Sequence, residues 1–211
     1  MPMLSIAQVI PSTEAEGPGH RFAVWFQGCP LRCPGCCNPE FLPFNGGTPT
    51  SLNDLVAQLD QARATTLSLE GVSLLGGEPF AHAEGAALFA KEVHGRGLTV
   101  MIYSGYTLEE LQSRDDPATR SLLEHCDLLV DGPYRRDLPE TRRRWIGSTN
   151  QRVHFLSDRY SPADPCWTQG NTLEIRLTDG VIEINGFPAP AATGLWKPRW
   201  TRPLPQVKAA E

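Results

Sequence analysis

The sequence predicts an α/β fold: an open, mostly parallel sheet or a partial (βα) barrel, with a C-terminal β-hairpin and an extended tail. Three observations predict it. Apolar runs at 71–75, 98–103 and 126–130 alternate with stretches of helical periodicity, the rhythm of right-handed βαβ units. Each run ends in a loop rich in glycine or small polar residues. Beyond residue 170 the pattern changes to apolar–polar alternation on either side of Asp179-Gly180, a hairpin signal.

Taken in order, Ile6 to Ile10 is a short apolar stretch ahead of Pro11, and Glu16 to Gly19 is a turn. Arg21 to Phe26 reads R-F-A-V-W-F, aromatic and β-branched, and predicts a buried strand. Phe41 to Pro49 is expected to be loop. Thr50 or Ser51 then caps a helix, with Leu52, Leu55, Val56 and Leu59 on one face. Gly71 to Leu75 is a strand ending in Gly76-Gly77-Glu78-Pro79, and a helix follows from about Ala83 to His94. Leu98 to Tyr103 is a strand ending in Ser104-Gly105; Thr107 with Glu110 forms a capping box. A helix at 117–125 leads to the strand Cys126–Val130, which ends in Asp131-Gly132-Pro133. Arg152 to Leu156 is a last strand of the main sheet, and Thr172–Leu177 with Val181–Asn185 make the hairpin. The tail from Gly194 carries Trp196, Trp200, three prolines and four basic residues.

A chain of 211 residues supports one substantial core with a small appendage, here divided as 1–160 and 161–211. The net charge of −5 argues against a general nucleic-acid binder. No apolar run reaches membrane-spanning length, and the N-terminus has no signal-like pattern, so the expected location is the cytoplasm, with reduced cysteines.

The stretch that carries chemistry is Gln27–Asn38, Q-G-C-P-L-R-C-P-G-C-C-N. Cys29, Cys33 and Cys36 stand at C-x3-C-x2-C spacing, on a segment that Pro30, Pro34 and Gly35 keep out of helix and ladder. Three close thiolates are soft ligands for an iron–sulfur cluster or for zinc. Zinc sites usually pair two C-x2-C-like units a dozen or more residues apart, and Cys126 and Cys166 are isolated. A non-catalytic zinc module is therefore the alternative, and a strained disulfide between near neighbours ranks below both. A [4Fe–4S] cube normally takes four cysteines, so three would leave one iron open to another ligand. Cys37 is the one remaining cysteine near enough to compete.

In such a sheet ligands sit at the carboxyl ends of the strands. The cysteine loop, Gly76–Pro79, Ser104-Gly105 and Asp131-Gly132 all fall there. Gly76-Gly77 lets backbone approach a ligand closely.

The cysteine triad followed by G-G-E-P resembles the radical S-adenosylmethionine superfamily. Within it the chain resembles the activating proteins of anaerobic ribonucleoside-triphosphate reductase, the glycyl-radical-enzyme activases. Six blocks carry the resemblance in the family's order: G-P-G-H-R from Gly17, the cysteine loop, L-L-G-G-E-P, Y-S-G-Y-T-L-E-E-L from Tyr103, L-L-V-D-G-P-Y from Leu128, and W-I-G-S-T-N-Q-R from Trp145. Cys37 stands where an aromatic is more usual, and the segment beyond residue 160 is outside the minimal pattern.

The resemblance implies that Cys29, Cys33 and Cys36 hold a [4Fe–4S] cluster whose fourth iron binds S-adenosylmethionine. It implies that Gly76, Gly77, Glu78 and Pro79 line the methionine part. Ser104 and Asp131 are expected at ribose or sulfonium contacts, and Ser148, Asn150 and Gln151 are expected to close over the ligand. The implied activity is reductive cleavage to a 5′-deoxyadenosyl radical that generates a glycyl radical on a partner, with flavodoxin or ferredoxin as electron donor and no side chain acting as acid or base. A small molecule or peptide is the alternative substrate, on the strength of the C-terminal hairpin and tail.

The remaining candidates read as structural. Cys126 is expected to be a buried small hydrophobe, Cys166 a surface thiol, and His94 and His125 helix-end residues. The basic run Arg142-Arg143-Arg144, with Arg135 and Arg136, reads as a solvated loop ahead of a docking surface for an acidic partner.

Overall fold

The computed structural model describes residues 3–66, 68–178 and 181–186. Seven strands form one sheet: β1 (Met3–Thr13), β2 (His20–Phe26), β3 (Thr48–Ser51), β4 (Leu69–Gly76), β5 (Thr99–Tyr103), β6 (Leu128–Asp131) and β7 (Arg152–Phe155). Their spatial order is β3-β1-β2-β4-β5-β6-β7. The inner strands β2, β4, β5 and β6 pair in parallel, while β1, β3 and β7 pair antiparallel at the two sides. Helices α1 (Leu52–Thr65), α2 (Ala83–Gly95), α3 (Leu108–Gln112) and α4 (Pro117–Glu124) connect them. A separate hairpin, β8 (Leu173–Thr178) and β9 (Val181–Gly186), follows. The expected α/β class and mostly parallel centre are present, in the open-sheet form. The tip Asp179-Gly180 and the tail from Gly194 lie outside the described residues.

Alternation along β2 shows how the sheet sorts its residues. Phe22, Val24 and Phe26 point to the helices and join one cluster with Leu55 and Leu59 of α1, Phe89 and Val93 of α2, and Leu122 of α4. Each such side chain contributes roughly 1.5–3 kcal/mol when fully buried. Ala23 and Trp25 point to the other face, where Ile10 and Leu75 meet them. Further along that face Trp145 fills the space over Met101, Leu128 and Val130. Local caps match the sequence: the Ser51 hydroxyl accepts from the Asp54 amide, and Thr107 with Glu110 forms a complete capping box.

Two local expectations are corrected. Loop was expected to run to Pro49, but Thr48–Ser51 is a strand, because it lies against β1 at the sheet edge, a place where Pro49 needs no ladder donor. β1 is also longer than Ile6–Ile10; it runs through Pro11 by shifting register between Ile10 and Thr13.

At the starts of the parallel strands sits Arg21, fully buried. Its guanidinium donates to Ser73 Oγ at 2.8 Å, Val72 O at 2.5 Å, Thr99 Oγ1 at 3.1 Å and Tyr160 Oη at 3.0 Å. These neutral acceptors join β2, β4 and β5 to the segment after β7. The hairpin docks at the same end. Asn185 Nδ2 donates to Thr13 Oγ1 at 2.9 Å and to Glu16 Oε1 at 3.3 Å, and Arg176 donates to Ser12 O at 2.9 Å.

Burial pushes the Glu16 carboxyl up from 4.5 to about 7, against the opposing bonds from Asn185 and the Gly186 backbone. The folded chain therefore holds this proton in a range where the unfolded chain has lost it. Stability is expected to fall as pH rises from about 4.5 to about 7, by up to about 3 kcal/mol from this group. Urea denaturation across that range checks it: Glu16→Gln should flatten part of the slope, and an unchanged slope refutes the assignment.

Candidate functional site

The cysteine loop leaves the end of β2 and is clamped at its base. Gln27 N donates to Ser5 O at 2.9 Å, Gly28 N to Phe41 O at 2.8 Å and Cys29 N to Leu42 O at 3.0 Å. The Gln27 side chain ties the returning segment, donating to Glu40 O and Pro43 O at 3.0 and 2.7 Å. His82 lies within 2.8 Å of Gln27 O and stacks on Phe26 with ring centroids 5.3 Å apart.

The end of β4 makes the second clamp. Gly77 N donates to Phe26 O at 2.7 Å and Glu78 N to Gly28 O at 2.9 Å. A Cβ on Gly77 would stand 2.3 Å from Gly28 O, so glycine is required for this backbone approach. The Glu78 side chain turns the other way. Oε1 accepts from Phe80 N at 3.1 Å and Ser104 Oγ at 3.0 Å, and Oε2 accepts from Gly105 N at 2.9 Å. Burial pushes this carboxyl up to about 7, while those donors favour its charged form. Glu78 thus fastens the end of β4 to the end of β5.

On the loop Cys29 is buried, Cys33 and Cys36 are half-buried, and Cys37 is exposed. The backbone amides of Leu31 and Arg32 favour the charged form of Cys29, that of Tyr134 the charged form of Cys33 and that of Asn38 the charged form of Cys36. Burial pushes the Cys29 and Cys33 thiols up; a hydrogen bond from the Cys37 thiol brings Cys36 down to about 6. Among the described residues no three His, Cys, Asp or Glu side chains converge tightly enough to hold a single metal ion. Three soft donors on one clamped loop fit an iron–sulfur cluster.

Comparison with known proteins agrees with this donor set. Residues 15–154 match the 4Fe-4S single cluster domain family. The anaerobic ribonucleoside-triphosphate reductase-activating proteins of Salmonella typhimurium and of Escherichia coli strain K12 are each 31% identical to the chain over 156 residues, 71% of this chain and 97% of theirs. That of Enterobacteria phage T4 is 26% identical over 158 residues, 72% of this chain and 94% of its own. The chain belongs to this activating-protein family. The 4Fe-4S domain match ends before β8, so the hairpin lies outside it.

Within the family domain the structure places the other expected residues as follows. Ser104 is buried on Glu78, at the strand ends beside the cysteine loop. Asp131 is fully buried and accepts from Leu108 N at 2.7 Å and from Arg152 at 2.5 and 3.1 Å. His154 Nε2 lies 2.9 Å from it without hydrogen-bond alignment. Burial pushes the Asp131 carboxyl up, yet Arg152, the Leu108 amide and His154 outweigh it and hold it below its ordinary value. Ser148, Asn150 and Gln151 are brought to the Gly132-Pro133 turn rather than to Gly76–Pro79.

Cys126 is buried with its thiol on Leu128 O, and burial raises it well above an ordinary cysteine, as expected of an inert core residue. Cys166 packs beside Trp167 against the Trp145 cluster. In the basic run Arg143 ties Glu140 to the carbonyls of Thr149 and Gln151, and Arg144 bonds Gln169 and Thr172 while lying over Trp145. These two are structural ties rather than a solvated face. Sequence reading missed Gln27, His82 and Tyr134; each adjoins or lies in a motif block, but its role depends on a partner 13 to 101 residues away.

Gly77→Ala should force the base of the cysteine loop away from β4, at a cost of about 1–3 kcal/mol, the range for an overpacked site. Thermal denaturation and iron uptake should both drop; an alanine variant that takes up iron like the parent refutes the close approach.

Proposed function

We propose that this family member is a radical S-adenosylmethionine enzyme that generates a glycyl radical on a partner such as an anaerobic ribonucleotide reductase. One observation carries the proposal: three thiols at C-x3-C-x2-C spacing sit on a loop clamped against the Gly76–Pro79 strand end. Cys29, Cys33 and Cys36 would hold a [4Fe–4S] cluster, leaving one iron for S-adenosylmethionine. When bound, such a cluster supplies one electron to the sulfonium, releasing methionine and a 5′-deoxyadenosyl radical that takes a hydrogen atom from the substrate.

The chain's own residues bind, orient and exclude water. Gly76 and Gly77 allow a ligand's methionine part to lie against backbone, and the Glu78–Ser104 bond fixes the neighbouring strand ends. Trp25, Ile10 and Trp145, all at most 4% exposed, fill the sheet face opposite the one packed by α1, α2 and α4. That filling supports delivery of the reacting carbon at the rim by a macromolecule. The hairpin docks at the start of β2, whereas the cysteine loop leaves its end, so the hairpin itself does not cover that loop. A one-electron carrier of the flavodoxin or ferredoxin kind would serve as donor.

Anaerobic assembly with iron and sulfide tests this. The chain should take up about four irons, its spectrum should change on adding S-adenosylmethionine, and strong reductant should yield 5′-deoxyadenosine. Cys33→Ala should lose both iron and cleavage, whereas Cys126→Ala should lose only stability. Firmly held zinc with no cleavage, or cluster loss confined to Cys126→Ala, refutes the reading.

A further inference from the structure

The three polar residues of the G-S-T-N-Q block converge on one short turn. Gln151 Nε2 donates to Gly132 O at 3.1 Å, and Asn150 Nδ2 donates to Pro133 O at 2.8 Å. Ser148 Oγ, fully buried, accepts from Arg135 N at 3.1 Å. The other end of the Gln151 amide is also engaged: Oε1 accepts from Gly147 N at 3.2 Å, Ser148 N at 3.1 Å and Ser148 Oγ at 3.3 Å. Arg143 in turn holds the carbonyls of Gln151 and Thr149. The carbonyls of 132 and 133 and the amide of 135 are therefore all fixed by side chains from one loop. The one backbone donor between them belongs to Tyr134, and this amide favours the charged form of Cys33. The turn also rests on the cysteine loop directly, since Arg136 Cδ lies 2.9 Å from where a Cβ on Gly35 would be.

We infer that Ser148, Asn150 and Gln151 are positioning residues of the metal centre, holding the 132–135 turn, and with it the Tyr134 amide, against the Cys33–Gly35 part of the cysteine loop. The inference rests on the reading of Cys33 as a cluster ligand. An amide on a ligating sulfur stabilises the added negative charge of a reduced cluster and orients the ligand. Losing it should make the cluster harder to reduce and looser, by the 10–100-fold in metal affinity typical of such supporting residues.

The full-length chain is assembled anaerobically with iron and sulfide, and two quantities are read: the rate of iron loss to a chelator and the reduction potential from a spectroscopic titration. Gln151→Ala and Asn150→Ala should each lose iron about 10–100-fold faster than the parent and titrate at a more negative potential. Gln151→Glu, which keeps the acceptor toward residues 147 and 148 but loses the donor to Gly132, should fall between. Ser51→Ala, a helix-cap change remote from the turn, should keep the parent's iron retention and potential. Parental values in Gln151→Ala and Asn150→Ala, or equal loosening in Ser51→Ala, overturn the inference while leaving the cluster itself standing. A parent chain that takes up no iron overturns both.

Discussion

The structure depends on a backbone contact between two strand ends. β2 and β4 run parallel and finish side by side, and there Gly77 comes so close to Gly28 that no side chain fits between them. The amides of Gly77 and Glu78 bond the carbonyls of Phe26 and Gly28, which sets where the cysteine loop departs. Everything beyond follows from that anchor. A loop with two prolines and no ladder of its own has no internal means of presenting three thiols in a fixed arrangement. It takes its shape from fixed points outside itself: Ser5, Phe41 and Leu42 on one side, β4 on another and Arg136, just past the 132–135 turn, against Gly35 on a third.

The two ends of the parallel strands are built differently. At their starts Arg21 gathers β2, β4 and β5 through neutral acceptors, and Tyr160, Asn185 and Arg176 add the later chain to the same end. A buried guanidinium loses hydration, and several well-placed acceptors recover much of that loss. At the other ends the polar groups serve the loops: Glu78 joins two strand ends, and Asp131 joins β6 to β7 and to the start of α3. The described part of the segment beyond the matched domain thus adds its polar ties at the starts of the parallel strands.

Much of this was legible because it is local. The cysteine spacing, the Ser51 cap, the Thr107–Glu110 box and the four parallel strands are each encoded within a few residues, by side-chain chemistry or by alternation. β3 was not legible, since four residues including a proline become a strand only because β1 offers an edge. The polar residues of the later motifs show the same limit more sharply. Position at a strand end places Asp131 beside a site, but the sequence does not show that Arg152, 21 residues on, engages its carboxylate. Nor does it show that Gln151 reaches back 19 residues to Gly132.

That difference bears on how such a motif is to be read. A conspicuous run of hydroxyl and amide side chains near a cofactor site invites assignment as ligand contacts, because those groups are versatile hydrogen-bond partners. Here both ends of the Gln151 amide, the Asn150 donor and the Ser148 oxygen have protein partners within 3.3 Å, and the atoms they restrain flank the Tyr134 amide, which favours the charged form of Cys33. A backbone donor cannot be tuned by changing its own side chain, so the selectable part of that interaction lies in whatever fixes the turn. Residues that never touch a metal or its ligands can in this way set how firmly the metal is held and how readily it accepts an electron.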